Sequence, residues 1–110
     1  MKISEINCDA CRSDATRVTE DEKHQFMKEL PDWTVINEDG VEKLRRSFKF
    51  SNFVEALAFT NKVGDLAEEY GHHPDILTEW GKTTVTWWSH KIKGLHQLDF
   101  ALSKKTQELQ

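Results

Sequence analysis

Cysteine, unbroken apolar sequence and clustered basic charge are all scarce in this chain. Its two cysteines form a single Cys8-Asp9-Ala10-Cys11 pair. A structural zinc site takes four ligands, and neither a second cysteine pair nor a nearby histidine completes the set. The nearest histidine, His24, falls inside a predicted helix. A redox pair of this spacing should follow a strand and open a helix, and this one does neither. The pair therefore reads as two reduced thiols in an N-terminal arm, with a zinc site completed by a partner chain as the alternative. Apolar runs are short, Ala56 to Phe59 being typical, so no transmembrane helix is expected. The stretch from Met1 to Cys8 lacks the apolar core of a secretory signal, and a cytoplasmic protein is the expectation. Net charge is −4, and no basic block stands out beyond Arg45-Arg46 and Lys104-Lys105. A nucleic-acid binder would show a basic face; no nucleic-acid or membrane partner is expected.

What is present is an ordinary globular composition, 37% hydrophobic and 31% charged over 110 residues. That length suits one domain with a core large enough to stand without disulfides. Residues 1–18 are polar and unpatterned and read as a flexible N-terminal arm; residues 19–110 read as the domain. Thr19 with Glu22 forms a capping box, Phe26, Met27 and Leu30 give a short helix its stripe, and Pro31 stops it. Trp33 to Ile36 is β-rich, Asn37 to Gly40 is a turn, and Val41 to Phe50 is a longer strand. Leu44, Phe48 and Phe50 share one face of it, with Lys43, Arg45 and Lys49 on the other.

Asn52 with Glu55 opens a second helix. Phe59, Val63, Leu66 and Tyr70 recur along it at helical spacing, Phe53, Leu57 and Ala67 widen the stripe, and Gly71 ends it. Beyond Pro74, the segment Asp75 to Trp80 alternates, Gly81-Lys82 turns, and Thr83 to Ser89 is dense in Thr, Val and Trp, with Trp87 on one face and Trp88 and His90 on the other. Leu95, Leu98, Leu102 and Leu109 mark a last helix. The order αββαββα implies an α+β fold: a four-stranded antiparallel sheet with helices packed on one face. Exposed edges of so small a sheet are often used for dimerisation.

The chemistry gathers in Tyr70-Gly71-His72-His73-Pro74 and in Ser89-His90. Histidine is the side chain suited to proton transfer near neutral pH. Pro74 fixes its own φ and pushes His73 towards extended backbone. If the third and fourth strands pair through a tight turn at Gly81, the doublet at the start of one lies beside His90 at the end of the other. The three rings then converge at the open end of that hairpin, with Trp80 at the opposite, turn end. A zinc or iron site is the competing reading; adjacent histidines seldom chelate one metal, and no i, i+4 pair is present. Trp87 and Trp88 read as core and interface residues.

His72-His73-Pro74, an aromatic at Trp80, Ser89-His90, Gly94-Leu95 and Asp99 together resemble the signature of the pterin-4a-carbinolamine dehydratases. The likeness runs from about residue 19 to 109, through Leu30-Pro31-Asp32-Trp33 and Phe48-Lys49-Phe50. It implies dehydration of a 4a-hydroxytetrahydropterin to quinonoid dihydropterin, in support of aromatic amino acid hydroxylation. No metal or organic cofactor is implied, because the pterin nitrogen itself expels the leaving group. By position, the resemblance makes His72 and His90 the acid/base pair and His73 a substrate-binding residue. Glu68, one turn before His72, is expected to orient that ring or contact the pterin. Asp99 matches the family's terminal aspartate as a substrate-binding residue and also suits a helix-capping role. The chain departs from the family at Gly71, where some relatives carry an acidic residue, and His96 is read as peripheral. Implied partners are the pterin carbinolamine, an aromatic amino acid hydroxylase and further copies of the chain, as a homodimer or homotetramer. Two other readings keep the fold: a non-catalytic dimerisation module, and a role in another pterin pathway such as molybdopterin metabolism.

Overall fold

A computed structural model describes residues 16–110. Most of the arm expected over residues 1–18, with Cys8 and Cys11, lies outside the described residues. Arg17 and Val18 lie within them and touch the domain. Arg17 Nε–H donates to Ile92 O at 2.8 Å, and Val18 N–H donates to Leu95 O at 2.9 Å.

Helix α1 (Glu20–Met27) starts where the capping box predicts. Glu22 N–H donates to the Thr19 hydroxyl at 3.1 Å, and Thr19 N–H donates back to the Glu22 carboxylate at 2.8 Å. That backbone bond is the chief reason the Glu22 carboxyl is held below the usual carboxylate range. Strands β1 (Thr34–Glu38) and β2 (Val41–Lys49) form the first hairpin. The predicted turn, Asn37 to Gly40, is longer than the real one. Asp39 and Gly40 both take positive φ, 54° and 84°, as a two-residue hairpin turn of the primed kind requires. The ladder therefore continues through Asn37↔Glu42 to Glu38↔Val41.

Helix α2 (Phe53–Tyr70) opens on Asn52, whose side chain accepts Glu55 N–H at 2.9 Å. Its buried stripe, Ala56, Phe59, Val63, Leu66 and Ala67, follows the i, i+3, i+4 spacing of an amphipathic helix. Strands β3 (Asp75–Glu79) and β4 (Lys82–Trp87) make the second hairpin, and helix α3 (Gln97–Glu108) closes the chain. The chain approaches itself closely at Gly81. A Cβ there would lie 2.9 Å from Phe50 O, to which no side chain could adapt.

The four strands lie in the order β1-β2-β4-β3, every neighbouring pair antiparallel. This is the predicted α+β arrangement, with the later hairpin inserted beside β2. Helices α2 and α3 are tied to one face: the Thr83 hydroxyl donates to Ala56 O at 2.9 Å, and Trp87 Nε1–H donates to the Thr106 hydroxyl at 3.0 Å. Leu44, Phe48, Val85 and Trp87 point into that layer and are essentially inaccessible. The opposite face carries Lys43, Arg45, Ser47, Thr84 and Thr86; Arg45 Nε–H reaches the Thr86 hydroxyl at 3.0 Å. Among the described residues, no helix is long and apolar enough to cross a membrane.

Strand β4 ends at Trp87, two residues earlier than the pattern predicts. The chain then pinches into a short loop, with Ser89 N–H donating to Gly94 O at 2.9 Å. This early exit from the ladder releases Ser89 and His90 from the sheet, and it shapes the site.

Candidate active site

The end of α2 decides which way the two adjacent histidines face. Gly71 sits in the left-handed region at φ 60°, where glycine carries no steric penalty. Gly71 N–H donates to Glu68 O at 3.3 Å, and His72 N–H donates to Ala67 O at 3.1 Å. These are the paired bonds of a Schellman stop, which turns the next residue back towards the helix it follows. His72 is accordingly buried, at 6% exposure. His73, one residue on and restrained by Pro74, faces outward.

His72 is held from two sides. Its ring lies parallel to that of Trp87, 3° between planes and 6.0 Å between centroids. Its Nε2 meets Asp99 Oδ1 at 2.7 Å. Asp99 is wholly inaccessible and stands at the third position of α3. Its other oxygen, Oδ2, accepts the Ser89 hydroxyl at 2.7 Å and His96 N–H at 2.9 Å. The second of these bonds is half of a capping box. In the other half, His96 Nδ1 accepts Leu98 N–H at 3.1 Å. An ionised carboxylate only accepts hydrogen bonds. With the carboxylate at the positive end of α3, the proton of the His72–Asp99 bond belongs to Nε2. Nδ1 of neutral His72 is then a bare acceptor.

His73 and Glu68, both exposed, pair through Nε2 and Oε2. His90 is exposed on the loop after β4, and its Nε2 lies 3.2 Å from the backbone oxygen of His73. A carbonyl only accepts, so this nitrogen too carries its proton. The His90 ring stacks on Trp88 at 4.1 Å and 12°. Lys43 Nζ lies 4.0 Å from the centroid of the Trp88 ring. Lys43 in turn donates to Glu38 at 3.0 Å and is the main reason that carboxyl is held below the usual range.

Of the five residues singled out from sequence, His72 pairs with Asp99, His73 pairs with Glu68, and His90 reaches the backbone oxygen of His73, all at the open end of the β3–β4 hairpin, while Trp80 lies exposed at the other end. One of the expected contacts changes. Glu68 meets His73 rather than His72, because the Schellman stop swings His72 under the sheet. Asp99, matched to a substrate-binding position and to a helix cap, is wholly inaccessible, with both oxygens engaged by His72, the Ser89 hydroxyl and His96 N–H. The sequence reading missed Ser89 and His96 as its partners. Two signals could have found them. Ser89 shares the alternation of buried Trp87, and the spacing from His96 to Asp99 is that of a capping box. Among the described residues, no group of three or more His, Cys, Asp or Glu side chains is placed to hold a metal ion.

The family model for pterin 4 alpha carbinolamine dehydratase matches residues 16–109 of this chain. The chain is 60% identical over 107 residues to a Nitrosococcus oceani protein, covering 97% of this chain and 95% of that one. It is 56% identical over 107 residues to a Marinobacter nauticus protein, covering 97% and 96%. Both carry the name "Putative pterin-4-alpha-carbinolamine dehydratase". Among solved structures, the chain is similar to a transcriptional coactivator/pterin dehydratase from Brucella melitensis, with a TM-score of 0.76 and 31% identity over 86% of this chain and 98% of the other. It also shares its fold with a pterin dehydratase-like RuBisCO assembly factor of the alpha-carboxysome, with a TM-score of 0.60 and 20% identity over 71% and 88%.

Proposed function

The chain belongs to the pterin 4 alpha carbinolamine dehydratase family and is a hydro-lyase; from that premise we propose that His72 and His90 carry the proton transfers by which a 4a-hydroxytetrahydropterin loses water. The reaction needs two such transfers. The C4a hydroxyl must be protonated to leave as water, and the N5 proton must be taken up as the quinonoid dihydropterin forms. One observation carries the reading: a fully buried aspartate commits one oxygen to Nε2 of His72 at 2.7 Å and fixes the other with two further donors. A carboxylate held in this way orients an imidazole and fixes its tautomer. His72 and His90 each keep Nε2–H on a protein oxygen, which leaves Nδ1 as the nitrogen that exchanges a proton with the pterin. His73, paired with Glu68, is exposed beside them and binds the substrate. The pterin nitrogen supplies the electrons that expel the hydroxyl, so the residues need only move protons.

The assay is the dehydration of freshly generated 4a-carbinolamine, followed spectrophotometrically with and without chelator. Acceleration over the spontaneous reaction is expected, and the chelator should not abolish it. No acceleration would sink the enzymatic reading, and loss of activity with chelator would favour a metal instead. Replacing His90 with alanine should lower kcat/KM by ~10²–10⁴-fold, the usual contribution of one positioned proton transfer. Full rate in that variant would remove His90 from the pair.

The same reading gives the protein a cytoplasmic place in tetrahydropterin recycling beside an aromatic amino acid hydroxylase. It also makes the protein a homo-oligomer. Phe53, Val54, Leu57, Leu77 and Trp80 are large apolar side chains left 42–76% exposed, and β3, an edge strand, carries one of them. Sedimentation equilibrium at micromolar concentration should return a dimer or tetramer mass; a monomer mass would count against self-association.

A further inference from the structure

We propose that Trp88 is a positioning residue for the reaction: it fixes the plane of the His90 imidazole, and Lys43 braces it from β2. The inference rests on His90 taking part in proton transfer as set out above.

His90 is exposed and stands on a loop. Among the described residues its one hydrogen bond, to His73 O, is 3.2 Å long, the far end of the normal range. One bond through Nε2 fixes a point on the ring but lets the ring turn about that point. Nδ1, the nitrogen left for the pterin, would then sweep through a range of positions. The stack removes that freedom. A ring 4.1 Å from the indole centroid and only 12° from parallel has its plane set, and with the bond to His73 O its rotation within the plane is set as well.

The indole must itself be held still for this to work. Trp88 is the first residue beyond β4 and keeps the sheet's alternation, so it stands on the face opposite the helices. The strand order β1-β2-β4-β3 puts Lys43, on β2, to one side of it, and puts His73, which leads into β3 and accepts the His90 bond, to the other. Lys43 Nζ lies 4.0 Å from the indole centroid, a cation–π distance, and Glu38 holds that ammonium at 3.0 Å. The result is a line across the outer face, Glu38–Lys43–Trp88–His90, that ends on a ring proposed for chemistry. Burial alone does not account for it. Trp87, the neighbouring tryptophan, is the core residue of the pair, while Trp88 is only partly buried at the margin of the core.

The test pairs kinetics with the proton NMR resonance of the His90 ring. An imidazole stacked on an indole face is displaced upfield by the ring current. The wild type and Trp88→Phe should both show this displacement, and Trp88→Ala should lose it. In the dehydration assay, Trp88→Ala should lower kcat by ~10–100-fold, as misplacing a reacting group by about 1 Å does, with KM little changed. Trp88→Phe should recover most of the rate. In a His90→Ala background, Trp88→Ala should add no further loss, because residues that act through one another are not additive. Trp88→Leu, of similar apolar character but without an aromatic face, replaces the alanine variant if that one does not fold. An undisplaced His90 resonance in the wild type overturns the role, and so does an equal loss of rate from Trp88→Ala with and without His90. Full rate in His90→Ala alone overturns the acid/base assignment and this role with it, whereas the NMR result bears on the stack alone.

Discussion

Replacing His72 with glutamine should lower kcat/KM by ~10²–10⁴-fold and leave the fold close to intact. The two halves of that expectation have different origins. The Nε2 amide of glutamine can lie near the position of the imidazole Nε2, so it can still donate to Asp99 Oδ1, which accepts at 2.7 Å in the native protein. The buried carboxylate then keeps its partner, and the packing against Trp87 changes little. What glutamine lacks is a second nitrogen able to take up and release a proton. Alanine at the same position should cost as much activity and also destabilise the protein. It leaves Asp99 Oδ1 without a donor inside the core, a loss of ~1–3 kcal/mol, and opens space beside Trp87. Thermal unfolding followed with the dehydration assay would separate the two variants: similar rates, with a clearly lower Tm for alanine. A glutamine variant within a few-fold of the wild-type rate would show that His72 positions the site without moving protons.

Sequence periodicity made the architecture legible because each element end carries its own chemistry. Thr19 with Glu22, Asn52 ahead of Glu55, and Gly71 are caps whose residues name the bonds they make, and all three stand where they were expected. The hairpins followed from alternation, and their antiparallel pairing brought His73 and His90 together. Strand ends were less legible. Asn37 pairs with Glu42 within the ladder while its side chain still accepts Gly40 N–H at 3.0 Å across the two-residue turn at Asp39-Gly40, so the ladder ran further than composition suggested. At the other hairpin the ladder stopped short, because the backbone from Ser89 to Gly94 pairs with itself.

The site was legible as a set of residues but not as a set of contacts. That His72 faces inward and His73 outward depends on the left-handed conformation of Gly71, which redirects the chain by one residue. Sequence spacing put Glu68 one turn below His72 and so suggested the wrong partner. His96 was set aside because N-caps are normally Ser, Thr, Asp or Asn. An imidazole nitrogen nevertheless does the same work there, accepting Leu98 N–H at 3.1 Å. Alternation placed Trp88 and His90 on one face, but the stack between them depends on where the chain leaves β4.

Asp99 offers the second large effect, and two substitutions there should fail in different ways. Asp99→Ala leaves His72 Nε2–H, the Ser89 hydroxyl and His96 N–H without their acceptor in a fully buried place. Removing one partner from a buried charged network costs ~3–5 kcal/mol, a large share of the ~5–15 kcal/mol that holds a typical domain together. Denaturant unfolding should register that loss directly. Asp99→Asn keeps the shape but must place one NH₂ group. The backbone N–H of His96 cannot turn away, so the amide oxygen has to stay on that side with the Ser89 hydroxyl. The NH₂ then faces His72, whose Nε2 can meet it only by giving up its own proton. The ring is driven to the tautomer with the proton on Nδ1, the nitrogen assigned to the pterin, and neutral His72 can no longer accept a proton there. Asp99→Asn should therefore stay folded and lose activity by ~10²–10⁴-fold, with nitrogen NMR reporting the exchanged tautomer of His72. An asparagine variant that keeps both the native tautomer and the native rate would mean that Asp99 serves only the start of α3. Lost activity with the tautomer exchanged and stability kept would show that the capping aspartate sets the protonation of the histidine above it.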